Sequence, residues 1–340
     1  MERKAQTERY GIANSGLYRL RNRRALARLL QTDVRKLKSI LSNKEAFYFR
    51  KEELVAEKLR SIQCPIGLLR RIHERLKALL NRLTLPDYLH APRHKTSYIT
   101  NAIAHADGPA VAKLDIKQFY PSVTSEHVFQ FFKHRLQIVD DVAGLLTQIV
   151  TIDEHLPFGS PASPILAFHA HRDLFDAVDA LCEAKKLKCS LYVDDLTISG
   201  PHIPKSLIFD IRSAIQSRGL KAHKIKRSSL KRKAVITGIQ LSKKGLAPSN
   251  KMHLRMKSSL QELDLMPDGE ERLKIVQRLL GQAQQMIAIY AEGKPVRRRR
   301  ISQKAWLIEE QRRLQRLIDK SPAKSGNGVQ LDAQDHSTPF

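Results

Sequence analysis

The sequence predicts an α+β fold: an antiparallel sheet with helices on one face, preceded and followed by further helical segments. Three observations carry this. An apolar hairpin over 188–200 is interrupted at its tip by two adjacent carboxylates, Asp194 and Asp195. A second short apolar strand, Val111 to Leu114, ends at a third, Asp115. Around them, apolar residues recur at the 3.6-residue spacing of amphipathic helices.

The elements follow in order. Residues 1–16 are polar. Over 17–41, Leu26, Leu29, Leu30, Val34, Leu37, Ile40 and Leu41 mark one face of a helix whose other face is basic. A short extended pair is expected at 47–49 and 58–62. Pro65 then opens a helix carrying Leu68, Leu69, Ile72, Leu76, Leu79, Leu80 and Leu83 on one side. A central unit over 107–245 reads as a strand (110–115), helices (124–136 and 140–151), a loop, a long helix (164–186), the hairpin (188–199), a helix (205–218) and a strand (234–241). Ser163-Pro164 suits the N-cap and first turn of the long helix. Helices return over 250–264, 270–292 and 301–319, within a third unit at 246–320. Residues 321–340, rich in Ser, Gly, Asp and Gln, read as a disordered tail.

Composition bounds the partners. The chain has 340 residues, 42% of them hydrophobic, enough for a sizeable core. Lys and Arg number 60 against 34 Asp and Glu, a formal net charge of +26. A polyanion is the expected partner. The segment 221–257 holds twelve Lys or Arg and no acid, and 297–300 is four consecutive arginines. A solvated helix face interleaves both signs, so phosphate contact is the better reading, with Lys231, Arg232, Lys233, Arg255, Arg297, Arg298, Arg299 and Arg300 as candidates. Three cysteines without Cys-x-x-Cys spacing suit a reducing compartment rather than a disulfide frame or zinc site. The N-terminus lacks a signal-peptide pattern, and no segment approaches the ~20 apolar residues of a membrane span. A soluble, cytoplasmic protein with no membrane partner is expected.

Two aspartates at the tip of a buried hairpin are costly unless a cation binds there. A polar turn would explain Asp194 and Asp195 alone. Asp115 in a matching setting argues for more: three hard carboxylate ligands for two Mg²⁺ ions, with water and substrate phosphates completing the shells.

The box Tyr192-Val193-Asp194-Asp195, the segment Leu114-Asp115-Ile116 and the loop over 156–164 (Leu-Pro-Phe-Gly-Ser-Pro-Ala-Ser-Pro) resemble reverse transcriptases, in that family's order. Two further boxes resemble the bacterial retron type: Asn101-Ala-Ile-Ala-His105, and Val235-Ile-Thr-Gly238 with one residue inserted. The resemblance spans roughly 17–320. It implies a right-hand polymerase with fingers (1–106), palm (107–245) and helical thumb (246–320). It also implies RNA-directed DNA synthesis on a cognate structured noncoding RNA. Priming would be from a 2′-hydroxyl of that RNA, and the product a short single-stranded DNA. An antiphage role with a separate effector protein is a further implication.

The resemblance also assigns roles. Asp115, Asp194 and Asp195 are the catalytic carboxylates, and the Ile116 carbonyl completes one metal shell. Tyr120 lies beneath the incoming sugar, where its ring excludes a 2′-hydroxyl and favours dNTPs. Lys58 and Arg60 match the cations that hold the triphosphate, although the lead-in 51–57 is acidic rather than Gly-rich. Lys226 matches a lysine near the pyrophosphate, with an altered lead-in. Phe158 stands where many relatives have Gln, beside Gly159, and exchanges a hydrogen-bonding group for a stacking one. Asn101 and His105 have no His or Cys partner for zinc; RNA contact and a structural role are both open. Asp153, Asp173 and Asp176 read as structural or solvated. The rival readings are another bacterial reverse transcriptase (group II intron, diversity-generating or abortive-infection type) and a catalytically silent RNA-binding scaffold.

Overall fold

A computed structural model describes residues 9–55, 58–230, 233–242, 245–293, 304–313 and 316. The chain divides into two compact units, 1–247 and 248–340. The expected tail at 321–340 lies outside the described residues.

The first unit opens with helices α1 (Arg23–Leu29) and α2 (Val34–Ser42). Each begins where a side chain satisfies an orphan amide: Asn22 accepts from the Ala25 N–H and Asp33 from the Lys36 N–H. The extended pair is a long hairpin, β1 (Tyr48–Val55) with β2 (Lys58–Pro65). Pro65 ends β2 instead of opening the next helix, which is α3 (Gly67–Leu80). Then come β3 (Leu89–Ala91) and α4 (Tyr98–Ile103), the latter started by a Ser97/Thr100 capping box.

The central elements are β4 (Ala110–Ile116), α5 (Phe119–Ser122), α6 (Ser125–Gln130) running into a π-helical turn at Phe131–Arg135, and α7 (Asp140–Val150). The long helix expected over 164–186 is two helices, α8 (Ser163–Ala170) and α9 (Arg172–Glu183). The break is at His171, whose φ of −116° and ψ of 20° leave the helical region. Ser163 is also not the cap: Ala162 holds that position, and the Ser163 hydroxyl donates to the Pro157 carbonyl at 2.8 Å. The unit continues with β5 (Lys188–Tyr192), β6 (Asp195–Gly200), α10 (Lys205–Ser217) and β7 (Ala222–Ser229). The strand expected at 234–241 is a tight hairpin, β8 (Ala234–Ile236) with β9 (Ile239–Ser242), flanked by β10 (Gly245–Pro248). Thr237 and Gly238 both take positive φ at its turn (44° and 83°).

Five strands form the main sheet in the order β3-β5-β6-β4-β7. It is antiparallel apart from the β3–β5 pair, which is parallel, so the sheet is mixed rather than purely antiparallel. Its apolar side, including Leu114, Leu191, Leu196 and Ile198, joins α3, α7, α8, α9 and α10 in one continuous core. The second unit is helical, with α11 (Asn250–Leu265), α12 (Glu270–Gly293) and a helix at 304–313. Met256, Leu263, Val276, Leu279 and Leu307 form its separate core. Among the described residues no helix is long and apolar enough to cross a membrane.

Candidate active site

Strand register decides which side chains share a surface. Asp115 lies directly opposite Asp195 across β4–β6, and Tyr192 opposite Asp195 across β5–β6. Residues paired this way project from the same face. Asp115, Tyr192 and Asp195 therefore share one face of the sheet, and Asp194 stands at the turn joining β5 to β6. Val193, preceding it, is left-handed at φ 60°, an unusual setting for a β-branched residue. The Val193 N–H donates to the Ala91 carbonyl (3.2 Å) and the Ile116 N–H to the Asp194 carbonyl (3.0 Å). The turn is thus tied to β3 on one side and β4 on the other.

The electrostatics match the geometry. The Asp194 carboxyl is pushed up to about 6, first by burial and then by the charges of Asp195 and Asp115. Lys113 offers partial relief, its Nζ 3.6 Å from Asp195 Oδ2. Sequence reasoning missed Lys113, yet the signal was there: it lies two residues before Asp115 in a strand, hence on the same face. Lys226, directly opposite Lys113 on β7, is exposed on that face as well. His223, opposite Asp115, was also missed.

The loop after α7 closes the other side. The Gln63 N–H of β2 donates to the Phe158 carbonyl at 2.9 Å. Gly159 has φ 133°, and an added Cβ would stand 2.8 Å from Cys64 Sγ and 3.1 Å from the Gln63 carbonyl. Only glycine allows this close docking of the loop on β2. The Arg60 guanidinium lies over the Phe158 ring, 4.9 Å from its centroid, and the Tyr120 ring is 5.8 Å from Phe158. Burial, and then the Asp194 charge, hold the Tyr120 hydroxyl well above its ordinary range. Arg60, Phe158, Tyr120 and Asp194 are therefore one neighbourhood built from four separate stretches of sequence. Lys58 pairs with Val55 through the β1–β2 register, and its side chain lies outside the described residues.

Two expectations change. Asn101 and His105 are both fully buried, with 0% exposure, so neither presents a surface to RNA. They do meet one another's neighbours: Ser190 Oγ lies 2.7 Å from Asn101 Oδ1 and 2.7 Å from His105 Nε2. The other retron-like box lies against the same helix, the Thr237 hydroxyl donating to the Tyr98 carbonyl at 2.8 Å. Of the basic candidates, Lys233 and Arg255 are exposed. Lys231, Arg232, Arg297, Arg298, Arg299 and Arg300 lie outside the described residues. Asp153, Asp173 and Asp176 are paired with Arg50, Arg135 and Arg172 respectively.

Residues 21–241 match the family model described as "Reverse transcriptase (RNA-dependent DNA polymerase)". The chain belongs to the reverse transcriptase family. Curated relatives point to its retron branch. The chain is 30% identical over 154 residues to the retron Se72 reverse transcriptase of Salmonella heidelberg (strain 579083-10), covering 44% of this chain and 38% of that one. It is 28% identical over 130 residues to the retron Ec86 reverse transcriptase of Escherichia coli, covering 38% and 40%. The matched segments thus span about two fifths of each relative's length.

Proposed function

We propose that the protein is an RNA-directed DNA polymerase of retron type, with a palm built on the five-stranded sheet, fingers on the β1–β2 hairpin and a thumb in the second unit. The observation that carries the reading is the register of Asp115 with Asp195, beside an Asp194 whose charge is left under-compensated. Among the described residues no three His, Cys, Asp or Glu side chains are arranged to hold a metal ion by themselves. The donor set nonetheless fits Mg²⁺: hard carboxylate oxygens, crowded charge, and an open side where water and phosphate oxygens can complete the shells. Asp115, Asp194, Asp195 and the Ile116 carbonyl would hold two ions. Those ions would lower the pKa of the primer hydroxyl and neutralise charge on the transferring phosphate.

The remaining work falls to positioning. Arg60, stacked on Phe158, is placed to meet a triphosphate, and Lys226 lies on the same face as the aspartates. Tyr120 floors the nucleotide site. The template would be a cognate structured RNA, primed from its own 2′-hydroxyl and copied into short single-stranded DNA, with Lys233, Arg255 and the other basic candidates on its phosphates. The retron relatives support the RNA partner; a separate effector and an antiphage role complete the proposal and rest on the family resemblance alone. The test is primer extension on an RNA template with Mg²⁺ and dNTPs, together with sequencing of the nucleic acid that copurifies. Absence of extension on any RNA primer-template, with folded protein, would leave the silent scaffold.

Replacing Tyr120 with Ala is expected to raise ribonucleotide incorporation relative to deoxynucleotide, because the ring occupies the space a 2′-hydroxyl needs. Single-nucleotide incorporation with matched rNTP and dNTP measures the ratio. An unchanged ratio in an active variant would make Tyr120 a packing residue between Phe119 and Phe158.

A further inference from the structure

Strand alternation puts Ser190, Thr197 and Ser199 on the sheet face that carries Asp195 and Tyr192. That polar row runs away from the carboxylates along both strands of the catalytic hairpin. His105 sits on it. Its Nδ1 is 2.7 Å from Ser199 Oγ on β6, and its Nε2 is 2.7 Å from Ser190 Oγ on β5. The Ser190 hydroxyl gives its one proton to Asn101 Oδ1 at 2.7 Å, so it accepts from His105 Nε2–H. Nδ1 is then the acceptor for the Ser199 hydroxyl. The chain has a single direction, Ser199 to His105 to Ser190 to Asn101, and uses a neutral imidazole.

We propose that His105, with Asn101 behind it, is a positioning residue that fixes the two strands of the catalytic hairpin relative to one another, and through them the Asp194–Asp195 tip. This rests on the polymerase reading above. Its backbone supports it: the turn carrying His105 lies hard against β6, where a Cβ on Gly108 would stand 2.7 Å from Ser199 Cβ and 2.8 Å from the Gly200 nitrogen. Stability alone does not explain such a network. The Asn101 Nδ2 and Thr197 Oγ1 atoms are buried without a partner, a cost that apolar packing would avoid. What a buried, directional chain adds is one register and one spacing, and metal-binding carboxylates need both.

The test uses the full chain with His105→Leu, His105→Gln and Ser199→Ala. Extension is measured against Mg²⁺ concentration, Mn²⁺ binding is followed by EPR without turnover, and RNA affinity is measured separately. His105→Leu is expected to lower kcat and weaken metal affinity by roughly 10- to 100-fold, with RNA affinity unchanged. His105→Gln, whose amide both donates and accepts, should recover part of the loss. Ser199→Ala, which removes one hydroxyl, should move both readouts the same way by a smaller factor. It carries the test if the leucine variant does not fold. Wild-type metal affinity and kcat in either folded variant would overturn the proposal, as would a loss confined to RNA binding. The Mn²⁺ titration keeps the outcome separate from the polymerase reading. If the wild type binds metal but extends nothing, the functional reading fails while the positioning role is still measured.

Discussion

Asp194→Asn is expected to abolish DNA synthesis while leaving the protein at least as stable as before. Asparagine keeps the shape of the carboxyl and removes its charge. For metal binding that charge matters: a ligand contributing several kcal/mol of transition-state stabilisation corresponds to about 10³-fold in rate. For folding the sign is opposite. The Asp194 pKa is raised from 3.8 to about 6, so the neutral carboxyl stabilises the native state below pH 3.8. That contribution is lost as the pH rises through 6. At neutral pH without metal, the ionised group costs on the order of 2–3 kcal/mol, at 1.36 kcal/mol per pKa unit. The variant should therefore melt a few degrees higher than wild type in EDTA, with the gap narrowing as Mg²⁺ is added. Primer extension and paired thermal melts check both halves. Normal extension, or a variant that melts lower in EDTA, would remove Asp194 from the metal site.

Acid should destabilise the protein well above the pH at which ordinary carboxylates are protonated. Four imidazoles are buried and neutral. Burial is the leading cause in each, holding His73 at about 4 and His105, His169 and His171 at about 3. A histidine with a depressed folded pKa lends stability above its unfolded value of 6.5 and loses it as the pH falls toward the folded value. Each then costs about 1.4 kcal/mol per pH unit below 6.5. At pH 5.5 the four together cost on the order of 5–6 kcal/mol. Protonation of Asp194 returns about 1 kcal/mol there, and half-exposed Asp179, also raised to about 6, returns less. Domains typically have only about 5–15 kcal/mol to lose. The melting temperature should drop by about 10 °C or more between pH 7.5 and 5.5. Melts at three pH values decide it: a flat profile would mean that these rings are hydrated or charged in the fold.

The carboxylate triad was legible because it sits on strongly patterned strands. The runs 110–116 and 188–200 are largely apolar and bounded, with the acids at a strand end and a hairpin tip, so local pattern and observed placement agree. β7 was not legible. Its Lys224, Lys226 and Arg227 read as a phosphate-binding tract, although an edge strand commonly carries such charge. β3 has three residues and no pattern to detect. The break at His171 lies inside a stretch whose apolar periodicity runs straight through it, whereas the turn at Thr237–Gly238 was marked by its glycine and by the slip in alternation between Ile236 and Ile239. For Asn101 and His105 the sequence left RNA contact and a structural role both open, because the motif does not reveal burial. Their burial depends on Ser190 and Ser199, about ninety residues further along the chain, and only the fold supplies those partners.

The hydrogen bond from the Thr237 hydroxyl to the Tyr98 carbonyl spans 139 positions of sequence, and it bears on how such proteins can be recombined. One end lies in the second of the two boxes that set this chain apart as retron-like, and the other is the first residue of α4, the helix in which the first box begins. A chimera with a crossover between Ala106 and Ala234 would take one end of that bond from each parent. If the incoming turn lacked a hydroxyl, the first turn of α4 would lose its anchor to the β8–β9 hairpin, and Asn101 lies in that same helix. The two boxes are therefore best exchanged together, as a single interlocking part whose halves happen to be written far apart.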